Sequence, residues 1–339
     1  MSMSPNRSIR LLVTALAAIL ALVAPVAPAA AVPAEPVAAT TQVEAAVVRI
    51  DTEVDYQGVL GSGTAFVIDP NGLAMTNFHV VQGADRITGT VNGRPYPVQL
   101  LGYDRKRDVA LIQLVGASGL PTVTLGDANA LVPGDPVVSL GNAEGTFGPL
   151  TREAGTVSAF GRTVSAEDTL SGTSDELSGL IEFAAPVRAG DSGGPLVNRA
   201  GQVVGITTAA TVNFRMGPGG KGFAIPINDA VVITDQIRAG VRSDSVHIGP
   251  PTLLGVGVRT SPRDTPGVVI QEVLRGGPAE QAGLLGGDVL VVLDGVTLDS
   301  ATTLTSVLDR RYPGDVVDLT WVDRAGQTRT GKAVLTAGP

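Results

Sequence analysis

The sequence contains no cysteine. Disulfide scaffolds, thiolate nucleophiles and cysteine-ligated metals are therefore excluded. Histidine is nearly as scarce, with only His79 and His247 present, too few to supply an ordinary zinc site. Basic residues are outnumbered: 24 Lys and Arg face 32 Asp and Glu, a net charge of −8. That balance argues against nucleic acid as a partner. The one basic run, Arg105-Lys106-Arg107, is far short of a basic stripe and reads as a solvated turn. Phosphate-binding loops are also missing. GPGGKG (Gly217 to Gly222) lacks the Ser or Thr after its lysine and a preceding strand, and no GxGxxG opens a helix. Neither a metal nor a cofactor is expected.

Long apolar runs are absent too. The longest, Leu11 to Ala24, stops at Pro25, short of the roughly 20 residues a spanning helix needs. Arg7 and Arg10 precede it and A-x-A sites follow, which is the pattern of a secretory signal peptide. Cleavage is expected after Ala29 or Ala31, so residues 1–31 read as the signal. The chain is expected to be secreted, or to face outward across the cell envelope or the periplasm. The Pro- and Ala-rich stretch 32–45 reads as a flexible tether.

What is present is 339 residues, 44% of them hydrophobic, with 43 Gly. The length suggests two domains. From Val47 onward, short Val/Ile/Leu runs alternate with Gly, Asn-Gly or Pro-Gly. GTAFVIDPNGLAMT (Gly63 to Thr76) predicts a hairpin turning at DPNG. VALIQL (Val109 to Leu114), DPVVSL (Asp135 to Leu140) and QVVGITTA (Gln202 to Ala209) predict further strands. Such spacing points to an all-β barrel or sandwich. INDAVVITDQIRAG (Ile227 to Gly240) has helical periodicity, with Asn228 as N-cap and Gly240 as the stop. Residues 241–250, with His247, read as a polar linker. The rest is a smaller unit of strands with a helical turn at Pro278 to Leu284 and a helix over Ala301 to Arg310.

Three polar residues in the larger unit stand out. His79 lies in TNFHVV just after the hairpin, Asp108 opens the VALIQL strand, and Ser192 sits in RAGDSGGPLVN (Arg188 to Asn198). Each alone has a plain structural explanation: a satisfied histidine, a turn-forming aspartate, and a serine in a glycine-rich turn. Their conjunction in the order His, Asp, Ser is specific. TNFHVV, DVALIQL, GDSGGPLVN and GFAIPI (Gly222 to Ile227), followed by a PDZ-like unit, closely resemble the HtrA/DegP family of serine proteases, nearest to its exported actinobacterial members. The likeness runs from about Val47 to Leu335.

The resemblance implies a mostly β chain: a chymotrypsin-like double β-barrel over 46–240, the linker 241–250, and a PDZ domain over 251–337. Ser192 would be the nucleophile, His79 its base, and Asp108 the group that fixes the imidazole tautomer. The N–H groups of Gly190 and Ser192 would receive the oxyanion. Val187, Arg188, Ile206 and Thr207 would border the substrate pocket. No buried acid is read there, so cleavage after small apolar residues is expected. Leu253, Leu254, Gly255 and Val256 would cradle a peptide's terminal carboxylate, with Leu254 and Val256 lining a pocket for its last side chain.

Departures from the family are also visible. Asp191 stands before the serine where the family commonly has Asn, and its partner is not evident from the sequence. Ala184 and Arg188 replace the usual Asp and Asn. The N-terminal region lacks the aromatic residues that tie many relatives into trimers, so a homo-oligomer is left open. The expected partners are unfolded or misfolded polypeptides and free peptide C-termini. The competing reading is a chaperone-like peptide-binding protein in which cleavage is secondary.

Overall fold

Asp69 begins the first turn. Its side chain accepts the Asn71 N–H at 2.9 Å, and its carbonyl accepts the Gly72 N–H at 2.9 Å. This Asx-type turn joins β2 (Val59–Asp69) to β3 (Leu73–Thr76) in the expected hairpin. The computed structural model describes residues 36–54, 59–145, 148–167, 174–208, 220–260 and 266–338. The signal peptide expected over 1–31 lies outside them.

The first barrel adds β1 (Val47–Val54), β4 (Arg86–Val91), β5 (Arg94–Asp104) and β6 (Val109–Leu114) to that hairpin. Its strands run β5-β4-β1-β2-β3-β6, and pairing of β6 with β5 closes the ring. Closure removes the sheet edges that would otherwise be open to pairing. A short β7 (Thr124–Leu125) leads to the second barrel, built from β8 (Pro136–Gly141), β9 (Thr151–Glu167), β10 (Ser174–Ala184), β11 (Pro195–Asn198), β12 (Gln202–Thr208) and β13 (Gly222–Pro226). Its order β11-β8-β9-β10-β13-β12 is closed by β11 pairing with β12. One hydrophobic cluster, from Val43 to Val246, fills both rings.

Two segments are more ordered than expected. The stretch read as a flexible tether folds from Pro36 into α1 (Pro36–Glu44). Val43 and Thr40 are buried, and Glu44 is bound at 2.6 Å by Arg152 of β9. That guanidinium holds the Glu44 carboxyl below the usual carboxylate range. The expected linker contains β14 (Val246–Ile248), which extends the first barrel by pairing with β5. His247 is therefore buried in a strand rather than exposed in a connector.

The helix predicted at Ile227 forms as α3 (Ile227–Arg238), with Ile227, Ala230, Ile233, Thr234 and Ile237 buried on one face. Its cap differs from expectation. Pro226 occupies the N-cap position, while the Asn228 side chain accepts the Ala128 N–H and donates to Asp127. This ties the helix to the start of the second barrel.

The C-terminal unit has its own core, from Leu254 to Leu335. It contains β15 (Thr252–Leu253), β16 (Val256–Thr260), β17 (Val268–Val273), α4 (Pro278–Gln281), β18 (Val289–Leu293), β19 (Val296–Thr297), α5 (Ala301–Leu308), β20 (Val316–Val322), β21 (Thr328–Val334) and β22 (Thr336–Ala337). The main sheet runs β16-β17-β18-β20-β21, and β15 pairs with β22. Ser300 caps α5 by accepting the Thr303 N–H at 3.1 Å, a bond typically worth about 1 kcal/mol at such a position. Among the described residues no helix is long and apolar enough to cross a membrane.

Candidate active site

His79 sits on α2 (Phe78–Val81), a single turn that follows directly from β3. Asp108 sits at the turn into β6 with φ +56°. Aspartate tolerates this left-handed region better than most residues, and the conformation has a visible use. It lets one residue bind α2 with both its side chain and its backbone. Asp108 Oδ1 accepts the His79 N–H at 2.9 Å, and Oδ2 lies 2.8 Å from His79 Nδ1. The Asp108 carbonyl accepts the Phe78 N–H at 3.2 Å and an Asn77 amide hydrogen at 2.9 Å. The aspartate side chain is 6% exposed and the histidine ring 40%. The acid is thus buried while the ring is partly exposed.

Ser192 lies on the loop between β10 and β11 and is buried. The loop is seated on the first barrel. The Ser192 carbonyl accepts the Thr64 N–H at 2.8 Å, and Gly193 donates to the Thr207 carbonyl at 2.8 Å. Gly193 has φ +84°, and a Cβ there would come within 2.0 Å of the Thr64 carbonyl and 2.3 Å of Thr76 Oγ1. No other residue fits so close to the strands that lead into α2. Gly190 has φ +95°. Its carbonyl is held by Thr64 Oγ1 at 2.7 Å and by the Asn142 N–H at 3.3 Å. With that carbonyl fixed, the Gly190 N–H has no hydrogen-bond partner among the described residues.

Thr64, Asn142 and Arg49 carry no signal in the sequence that would mark them as part of the site. Arg49 of β1 donates to Asn142 Oδ1 at 2.9 Å and to the Gly145 carbonyl at 2.8 Å, while Asn142 donates to Ser62 Oγ at 3.0 Å. Together they fasten the second barrel's loop to the first barrel. Nothing in the local pattern marks them, because their partners lie far away in the chain.

The structure supplies a partner for Asp191. Its buried carboxylate accepts the Arg188 N–H at 2.9 Å and the Thr151 hydroxyl. An acid with two internal donors keeps the 188–191 turn closed. Asp191→Ala leaves both donors unpaired, which typically costs about 1–3 kcal/mol per buried group. It is expected to lower kcat/KM on a peptide substrate about 10²–10³-fold, the scale of losing one oxyanion donor. A variant with full activity would separate this turn from catalysis.

Of the residues read as the pocket border, Arg188 lies in the turn before Ser192, and Thr207 pairs with the serine loop through the Gly193 N–H and the Gly194 carbonyl, both at 2.8 Å. Val187 and Ile206 belong to the hydrophobic core. Thr207 bonds Ser139 through its hydroxyl at 2.8 Å. Arg188 turns its guanidinium outward to Glu144 at 2.8 Å and Glu153 at 3.5 Å, so its charge is committed elsewhere. In the C-terminal unit, Leu253 pairs with Thr336, and Val256 opens β16. The Leu254 side chain is buried in the core rather than open to a pocket. The carbonyls of Leu254 and Gly255 accept the N–H groups of Ala279 and Leu274, both at 2.9 Å, while their own N–H groups have no partner among the described residues. Among the described residues no group of three or more His, Asp or Glu could hold a metal ion.

Comparison with known proteins gives the same two-part organisation. Residues 63–206 match the trypsin-like peptidase domain and residues 253–333 the PDZ domain. The serine protease PepD of Mycobacterium tuberculosis is 33% identical over 317 residues, covering 89% of this chain and 65% of that protein. A putative serine protease HhoA of Synechocystis is 31% identical over 314 residues, covering 80% of this chain and 77% of that protein. The solved structure of an HtrA-type protease, AlgW with tripeptide, superposes with a TM-score of 0.52 at 29% identity, covering 90% of this chain and 97% of that one. The chain spans about two thirds of the length of PepD and about half to three quarters of the other curated relatives it matches. A closed pair of barrels with a buried acid behind an exposed histidine, a glycine-rich serine loop, a PDZ domain and likeness over most of this chain lead to one assignment: the chain belongs to the HtrA/DegP family of trypsin-like serine proteases.

Proposed function

We propose that the protein is an exported serine endopeptidase that hydrolyses unfolded or damaged polypeptides, with its PDZ domain recruiting peptide C-termini or regulating activity. The observation that carries this reading is the grip of Asp108 on His79. A carboxylate against Nδ1 keeps the proton on that nitrogen and leaves Nε2 to act as the base. Nε2 removes the Ser192 proton as Oγ attacks the substrate carbonyl, then returns it to the leaving amine. Water repeats the sequence on the acyl-enzyme and regenerates Ser192. The Gly190 and Ser192 N–H groups stabilise the negative oxygen in both tetrahedral states.

Export is supported by the basic, apolar and small-residue succession at the N-terminus. The N–H groups of Leu254 and Gly255 support capture of a terminal carboxylate, with the peptide adding to the sheet edge. A preference for small apolar side chains is supported by the outward turn of Arg188, which takes its charge to Glu144 and Glu153. The test is reaction of the full chain with a fluorophosphonate probe, followed by peptide mapping. Label on Ser192 together with casein digestion is the expected result. Label elsewhere, or client protection with neither label nor digestion, would replace hydrolysis with the peptide-binding reading.

A further inference from the structure

Four aromatic rings form a column that begins beside the catalytic helix and ends in the PDZ domain. Phe78, the residue before His79, stacks on Tyr103 of β5 with centroids 3.9 Å apart. Tyr103 stacks on His247 of β14 at 5.0 Å, and His247 on Tyr312 at 4.4 Å. Arg242 covers the last ring at 3.6 Å. Tyr312 and its neighbour Asp309 follow α5 and lie within the PDZ match.

Asp309 connects this column to α2 at both ends. Its Oδ1 accepts the Tyr103 hydroxyl at 2.8 Å, and Oδ2 accepts Arg105 Nε at 2.5 Å. Its backbone carbonyl lies 2.9 Å from His247 Nδ1. Arg105, held this way, places its guanidinium 4.8 Å over the Phe78 ring and donates at 3.0 Å to Gln82, the residue that ends α2. Phe78 is thereby clasped between Tyr103 and Arg105. A one-turn helix cannot fix its own orientation, because it has too few internal hydrogen bonds. The residue at the N-cap position of α2, Asn77, also makes no side-chain cap. Burial pushes the Tyr103 phenol far above its ordinary range, and the Asp309 charge adds to this. The hydroxyl therefore remains a donor at any pH of interest.

We propose that Asp309 of the PDZ domain is a positioning residue for His79, acting through Arg105, Tyr103 and Phe78 on the helix that carries the base. This rests on the reading of His79 as the general base. It makes the distant domain part of the support of the catalytic site, whether or not a peptide occupies its groove. A histidine displaced by even about 1 Å loses much of its rate, on the order of 10²-fold. Binding of a short substrate does not depend on the ring's position to the same degree.

The test uses the full chain and a short chromogenic peptide, with kcat expressed per site titrated by fluorophosphonate. Asp309→Ala is expected to lower kcat about 10–100-fold with KM changed less than about threefold. Asp309→Glu is expected to restore part of the loss. Tyr103→Phe keeps the stack, deletes only the hydroxyl contact, and should give a smaller fall in kcat. It therefore serves if Asp309→Ala does not fold. Arg105→Met combined with Asp309→Ala should be no slower than Asp309→Ala alone, because both act through one path. Wild-type kcat in the Asp309 and Tyr103 variants, even with a lowered melting temperature, would overturn the proposal. Ser192→Ala separates the two failures: if it is inactive, the site reading stands whatever Asp309 does, and if it is active, that reading falls first.

Discussion

Ser192→Ala is expected to lower kcat about 10⁶-fold, because it removes the hydroxyl proposed to form the acyl-enzyme. The remaining activity would come from oriented donors and substrate binding, which still exceed uncatalysed hydrolysis in such sites. The fold should be unaffected. What seats the loop is the Ser192 carbonyl on the Thr64 N–H and the Gly193 N–H on Thr207, and an alanine retains both. The measurement is casein and peptide hydrolysis beside thermal unfolding of the same preparation. A melting temperature within a few degrees of the parent, with no detectable turnover, is the expected pair. Turnover within tenfold of the parent would mean that another residue is the nucleophile. Peptide binding at the PDZ domain should persist in this variant, which makes it the natural form for capturing substrates.

How much of this was legible beforehand differs by the range of the interactions. Val109–Leu114 forms a strand with the bounds expected, because a short apolar run between turn formers carries its own signal. The hairpin at Asp69 to Gly72 was legible for the same reason: the turn is closed by its own residues. The helix at Ile227 showed its periodicity but not its cap, since Asn228 bonds Asp127 and Ala128, a hundred residues away in the sequence. The tether and the linker show only Pro-rich or polar composition in the sequence, yet both contain ordered elements. What orders them is Arg152 in one case and the edge of β5 in the other. The same holds around the serine. GDSGGP marks where a loop must turn tightly, yet Thr64, Asn142, Thr151 and Arg49, which fix its shape, sit in stretches with no distinguishing pattern. Asp309 is the extreme case, bonded to Tyr103 across 206 positions. A motif shows which groups take part, while long-range contacts decide how rigidly they are held.

Asp108→Asn isolates the tautomer. The change keeps size and shape, and the asparagine oxygen can still accept the His79 N–H that Oδ1 accepts at 2.9 Å. The backbone carbonyl retains Phe78 and Asn77, so α2 should stay in place. What changes is the atom that faces Nδ1 at 2.8 Å. An amide NH₂ there is a donor, so the imidazole must present Nδ1 as an acceptor and carry its proton on Nε2. A protonated Nε2 cannot take the serine hydrogen. The imidazolium that forms in the transition state also loses its compensating charge. The expected fall in kcat is about 10⁴-fold, with KM for a short peptide within a few-fold of the parent, since no substrate contact is altered. The measurement is steady-state kinetics across a pH series. Because hydroxide can replace the lost base, residual activity should climb with pH above neutrality instead of reaching a plateau. An Asp108→Asn variant that keeps a tenth or more of the parent kcat would show that the carboxylate orients α2 without setting the proton on His79.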